Sequence, residues 1–251
     1  MSDLPVQQFH APDGAALVWR EMGEGRAVVL LHGFFSDAQT NWIKYGHAAA
    51  IAARGFRVIM PDLRAHGDSA KPHDAAAYPP DVLAHDALAL IAHLGLRDYD
   101  LGGYSLGGRT TARMLALGAA PRRVLISGMG YEGLTSTGIR GDFFRNILTN
   151  PGSFERGTPE WLAEAFLKTS GGDAKALVNI LETFVNMTDA DLARIGQPVL
   201  VLCGADDFDN GSAAALAQAL PRATHVTVPG NHMSAVVKPE LGAAIAQFLA
   251  A

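Results

Sequence analysis

Six short apolar runs constrain this chain more than any other feature. They are "AVVLLHG" (27–33), "FRVIMPD" (56–62), "YDLGGYS" (99–105), "RRVLISG" (122–128), "PVLVLCG" (198–204) and "ATHVTVPG" (223–230). Runs this short and this continuously apolar read as strands covered on both faces, the condition of a parallel sheet. Parallel neighbours need crossover connections, and helical patterns lie between the runs. They span 42–55, 78–95, 109–118, 211–221 and 239–251, several starting at proline or stopping at glycine. The alternation predicts a doubly wound, mostly parallel α/β sheet. Two earlier segments, "VQQFHAPDG" and "ALVWREMG", read as a leading antiparallel hairpin.

The rhythm breaks once. From about 130 to 190 there are helical patterns and Gly/Pro turns but no strand run. The expected organisation is a core from 1–129, a helical cap from 130–190 and the rest of the core from 191–251. With 251 residues, 49% of them hydrophobic, the chain can bury a sizeable core. The net charge of −5 comes from interspersed acids and bases, so no basic run marks a nucleic-acid partner. No apolar run approaches the ~18 residues of a membrane span, and no signal peptide is visible, so a cytoplasmic location is expected. One cysteine, Cys203, ends an apolar run and reads as a buried, inert thiol. No ligand spacing suggests a metal, and no glycine-rich loop suggests a nucleotide, so no cofactor is expected. The oligomeric state is left open.

Ser105 sits in "GYSLGG", between the strand-like "YDL" and the helical "RTTARMLALG". A glycine-rich turn whose serine caps a helix would fit the motif alone. The strand-turn-helix setting instead fits a nucleophile elbow, a strained turn that exposes Oγ at the carboxyl edge of a sheet. Gly103 and Gly107 would give the strand and helix room to pack, and the helix N-terminus favours developing negative charge.

Five motifs then occur in a familiar order: "LLHGF" (30–34), "RVIMPDLRAHGDSAKP" (57–72), "GYSLGG" (103–108), "QPVLVLCGADD" (197–207) and "PGNHM" (229–233). Together they resemble the α/β-hydrolase fold superfamily, in its serine-nucleophile, esterase-like form, over nearly the whole chain. The resemblance implies a Ser-His-Asp triad in the order Ser105, Asp207, His232. His232 lies where the family places its catalytic histidine. Asp207 fits the family spacing of glycine plus three, counted from Gly204. Asp206 and Asp209 read as turn and capping residues, and Glu132 is the alternative acid. The "HGF" loop resembles the family's oxyanion loop, which implies the N–H groups of Phe34 and Leu106 as oxyanion donors. His32 is expected to hold that loop, and His66 to be structural. Phe35, Tyr104, Trp161 and Phe166 are the expected pocket residues, with Phe184 a further candidate.

The implied activity is a serine hydrolase acting on carboxylic esters of small to medium apolar substrates through an acyl-enzyme. A lactonase, a carbon–carbon bond hydrolase or a cofactor-free perhydrolase would use the same triad. A catalytically idle ligand receptor is the reading from another class. Dehalogenases and epoxide hydrolases of the family need aspartate where Ser105 stands.

Overall fold

The computed structural model describes residues 4–136 and 138–251. Eight strands form one sheet: β1 (Gln7–His10), β2 (Ala16–Met22), β3 (Arg26–Leu31), β4 (Phe56–Pro61), β5 (Tyr99–Tyr104), β6 (Val124–Ser127), β7 (Val199–Gly204) and β8 (Ala223–Val228). Their order is β1-β2-β4-β3-β5-β6-β7-β8. The β1/β2 and β2/β4 pairs are antiparallel, and every later pair is parallel. This is the α/β-hydrolase fold, with the leading hairpin at one edge.

Strand periodicity divides the core. In β3, Val28 and Leu30 face a cluster with Trp42, Ile51, Met60 and Ile245. Val29 and Leu31 face the opposite cluster, with Leu83, Leu90, Leu101 and Met114. Each such fully buried aliphatic side chain contributes about 1.5–3 kcal/mol relative to exposure. β5, β6 and β7 are buried at every residue, as two-sided coverage requires. β8 is different: it is the sheet's edge, and most of its residues are partly or fully exposed.

The helix expected at 42–55 is split. A short π-type turn covers Gln39–Ile43 and an α-helix covers His47–Ala52. Gly46, at φ 80°, breaks the two apart. The helix after the GYSLGG motif starts at Leu106 rather than at Arg109, because the turn at Ser105 is a single residue deep.

Between β6 and β7 the described residues form five helices: Tyr131–Thr135, Gly138–Thr149, Pro159–Thr169, Ala174–Leu181 and Asp189–Ala193. Three of them start on side-chain caps. Thr158 accepts from the Trp161 N–H, Asp173 from those of Lys175 and Ala176, and Thr188 from that of Asp191. Ile147, Leu167, Leu177 and Ile180 pack into the same buried cluster as Leu83 and Leu90. The insertion is therefore continuous with the core on that face. No helix among the described residues is long and apolar enough to cross a membrane.

Candidate active site

Because β3, β5, β7 and β8 are mutually parallel, the loops that follow them open on one edge of the sheet. Phe34 follows β3, Ser105 follows β5, Asp207 follows β7 and His232 follows β8. Open α/β sheets place their ligands at this edge.

Ser105 adopts φ 54°, ψ −114°, a strained backbone for a residue with a Cβ. The strain is held by the sheet on one side and the following helix on the other: its N–H donates to Ser127 O at 2.8 Å, and its carbonyl accepts from the Arg109 N–H at 3.0 Å. The flanking glycines are required by contact. A Cβ on Gly103 would lie 2.3 Å from the Gly107 carbonyl carbon, and one on Gly107 would lie 2.1 Å from Leu31 O.

Two loops bring the partners in. The Ala205 N–H donates to Val228 O and the Asp206 N–H to Gly230 O, zipping the loop after β7 to the loop after β8. His232 Nε2 then lies 3.0 Å from Ser105 Oγ, and Nδ1 lies 2.9 Å from Asp207 Oδ2. The other Asp207 oxygen accepts the Asp209 N–H at 3.3 Å. An Nδ1–H donated to the carboxylate leaves Nε2 free to take the serine proton, so the arrangement can activate a hydroxyl. Asp207 and His232 are both buried.

The other carboxylates go elsewhere. Asp206 is exposed. Asp209 pairs with Arg140 at 2.9 Å. Glu132 accepts the Ser212 N–H at 2.7 Å, and among the described residues no bond joins it to His232.

Phe34 and Leu106 both line the cavity at Ser105. Neither N–H has an acceptor among the described residues. The Phe34 loop is fixed from behind. The Gly33 N–H donates to Asn41 Oδ1 at 2.9 Å, and the Leu63 N–H donates to His32 Nε2 at 2.9 Å. His32 Nδ1–H therefore donates to Gly33 O, at 2.8 Å, which sets the tautomer. Burial holds His32 below the ordinary histidine value, so it stays neutral. His66 packs against both His32 and Phe34.

Of the expected pocket aromatics, Phe35, Tyr104 and Phe166 line the cavity. Phe184 lines it on the other side of Ser105. Trp161 does not. On its helix the positions facing Ser105 are Pro159, Leu162, Ala163 and Phe166, spaced three and four apart. Trp161 falls off that face and lies under the Arg156 guanidinium instead. Tyr104 also anchors the histidine loop, because its hydroxyl donates to His232 O at 2.6 Å. Burial, and then the charge of Asp207, push its phenol well above the usual range, which keeps it a donor. Cys203 is buried, and burial first and Asp207 second push its thiol up to about 12.

The motif reading missed Asn41, Arg109, Arg140, Phe143 and Phe144. Phe143 and Phe144 stack edge to face, and the Arg140 guanidinium lies 5.0 Å and 4.7 Å from their rings. Adjacent aromatics in "DFFRN" were the one available signal. Arg109 is buried and donates to Gly133 O, Leu134 O, Val185 O and Asn186 Oδ1, at 2.7, 3.2, 2.7 and 3.1 Å. It thus grips both ends of the helical insertion. Burial, with Arg113 beside it, lowers its pKa to about 10, still a cation at neutral pH.

Among the described residues no cluster of three or more His, Cys, Asp or Glu side chains could hold a metal. A family model described as "Alpha/beta hydrolase family" matches residues 28–245. A non-heme haloperoxidase of Rhodococcus erythropolis is 29% identical, over 78% of this chain and 80% of its own. A hydrolase from Pseudomonas aeruginosa superposes with TM-score 0.76 at 26% identity, covering 98% of both chains. A thermophilic esterase from Thermogutta terrifontis superposes at 0.78 with 23% identity, again over 98% of both.

Proposed function

Since the chain belongs to the alpha/beta hydrolase family, we propose that it is a serine hydrolase that cleaves carboxylic esters through an acyl-enzyme. Ser105 Oγ attacks the acyl carbonyl as His232 Nε2 takes its proton. Asp207 holds the imidazole and stabilises its cation. The N–H groups of Phe34 and Leu106 receive the oxyanion. His232 then gives its proton to the departing alcohol, and water, deprotonated in turn by His232, releases the acid. Residues 130–190 act as a cap that shapes the substrate space without supplying the chemistry. This chemistry calls for no cofactor, and the substrates it suits are small to medium and fairly apolar.

The observation that carries this reading is the unbroken chain from Ser105 Oγ through both ring nitrogens of His232 to Asp207. An idle ligand receptor has no need of all three groups in register. The haloperoxidase similarity favours a second acceptor on the same acyl-enzyme. Hydrogen peroxide in place of water would release a peroxyacid. Ser105→Ala is expected to cut turnover of a chromogenic short-chain ester by about 10⁴-fold or more, with the melting temperature little changed. Near wild-type turnover in that variant would overturn the assignment.

A further inference from the structure

The space around Ser105 is divided into two lobes. One, of about 470 Å³, contains His232 in its wall, with Phe35, Leu162, Phe166, Met233 and Val236. The other, of about 430 Å³, lies over Leu106 and Arg109 and includes Met129, Glu132, Phe184 and Asn210. Ser105, Phe34, Phe143, Phe144 and the Arg140–Asp209 pair border both. His232 is in the wall of only the first.

We infer, on the acyl-enzyme reading above, that the His232 lobe holds the alcohol part of the ester and the Leu106 lobe holds the acyl chain. The path of the proton requires it. When the carbonyl carbon–alkoxy oxygen bond breaks, its electron pair stays on the departing oxygen. That oxygen must take the proton from His232 Nε2, and so must lie within hydrogen-bond reach of it. The departing group therefore occupies the lobe that His232 lines. The other substituent of the carbonyl carbon is directed away from it, over Leu106. Once the alcohol leaves, the same lobe admits the water. That water gives a proton to Nε2 as its oxygen bonds to the acyl carbon, and the bond to Ser105 Oγ then breaks with its electron pair staying on Oγ, which takes the proton back from Nε2.

The linings then define a substrate class. Among the described residues lining the alcohol lobe, the shared Arg140–Asp209 pair supplies the only carboxylate and guanidinium, the other polar side chains are His232, Ser105, Tyr104, Ser36 and Asn41, and the rest of the wall is largely apolar. A bulky apolar alcohol fits it. The acyl lobe is apolar at Met129 and Phe184 but has unfilled acceptors beyond them. One Glu132 oxygen holds the Ser212 N–H and the Asn210 amide nitrogen donates to Gly128 O. Among the described residues no donor reaches the other Glu132 oxygen or the Asn210 amide oxygen. An acyl chain ending in a hydroxyl would donate to them. The structure thus favours esters of a bulky apolar alcohol with a terminally hydroxylated acid.

Two exposed rim positions test the assignment: Leu162 on the alcohol lobe and Ser136 on the acyl lobe. kcat/KM is measured on esters that vary the alcohol at fixed acyl chain, then the acyl chain at fixed alcohol. Leu162→Trp is expected to lower kcat/KM about tenfold or more for bulky alcohols and to leave the acyl profile alone; Ser136→Trp does the converse. A terminal hydroxyl on the acyl chain raises kcat/KM in the wild type, and Glu132→Leu removes that gain. Exchanged profiles, or two variants that shift neither, overturn the lobe assignment. A hydroxyl that gives no gain overturns the acyl class. Failure of the acyl-enzyme reading looks different: the wild type then shows no initial burst of released alcohol and no labelling of Ser105 by a phosphonate.

Discussion

The sheet edge and the helical insertion lean on different kinds of contact. At the edge, Ser105, Asp207 and His232 are placed by backbone: a positive φ at Ser105, glycine contacts at Gly103 and Gly107, and main-chain hydrogen bonds between two loops. The insertion has main-chain ties near its ends, from Gly130, Tyr131 and Gly133 to the 210–212 loop and from Asp81 to Thr183, and side chains add the rest. Arg109 grips both of its ends, and Arg140 ties it to Asp209 on the loop that carries Asp207. Backbone placement tolerates little change in geometry and suits the chemistry. Side-chain placement can be altered one residue at a time, which fits the substrate-shaping role proposed for residues 130–190.

The largest effect that sharpens this contrast lies at the edge. Asp207→Asn keeps the shape but lets an amide N–H₂ face the histidine, favouring the wrong tautomer. A fall in kcat of about 10⁴-fold is expected. Asp206→Asn, Asp209→Asn and Glu132→Gln are each expected to stay within about fivefold, the scale of an exposed polar contact. Steady-state kinetics of the four variants decide the matter. A crippling loss at any of the last three, with Asp207→Asn mild, would move the acid.

The next effect lies where the two regions meet. Arg109→Gln removes up to four charged hydrogen bonds to the insertion and is expected to cost about 2–4 kcal/mol in stability. Arg145 on the insertion pairs with Glu182 in solvent, and Arg145→Gln is expected to cost under about 1 kcal/mol. Urea unfolding of both variants checks the difference. Equal losses would show that Arg109 is not the clasp.

The same division explains what was legible in the sequence. The elbow was readable because its constraints are local: a serine held at positive φ beside close-packed strands has few solutions, and they use glycine. Asp207 was readable through the family spacing counted from Gly204, and in the structure the zippered loops hold it 2.9 Å from His232 Nδ1. Trp161 was misplaced because composition marks an aromatic residue but not which helix face it occupies. Arg109 and Asn41 gave no signal, since most of their partners are backbone atoms: three carbonyls, up to 76 residues away, for Arg109, and the Gly33 N–H for Asn41. The break at Gly46 was hidden inside a pattern that looked continuously helical.

A smaller, graded effect separates the regions by acid. His32, His47 and His66 are held below the ordinary histidine value by burial, His66 furthest, with His32 adding to it. The unfolded chain takes up protons near pH 6.5 that these groups refuse when folded. Their contribution is complete above that pH and is lost as pH falls toward their folded values, by about 1.4 kcal/mol per pH unit for each. Residues 130–190 contain no histidine. Acid is therefore expected to weaken amide-exchange protection around β3 and the His66 turn before the insertion. Hydrogen exchange at pH 7 and pH 5 reads this directly, and earlier loss in the insertion would reverse the comparison.

The central claim is a covalent one, and intact mass spectrometry followed by peptide mapping tests it most directly. The protein is mixed with an activated short-chain ester, quenched in acid within the first turnover and digested. The expected result is a mass increase equal to the acyl group on the peptide carrying Ser105, absent in Ser105→Ala and strongly reduced in His232→Ala. An acyl group on any other residue, or turnover of the ester with no adduct under conditions where deacylation is slow, would contradict it.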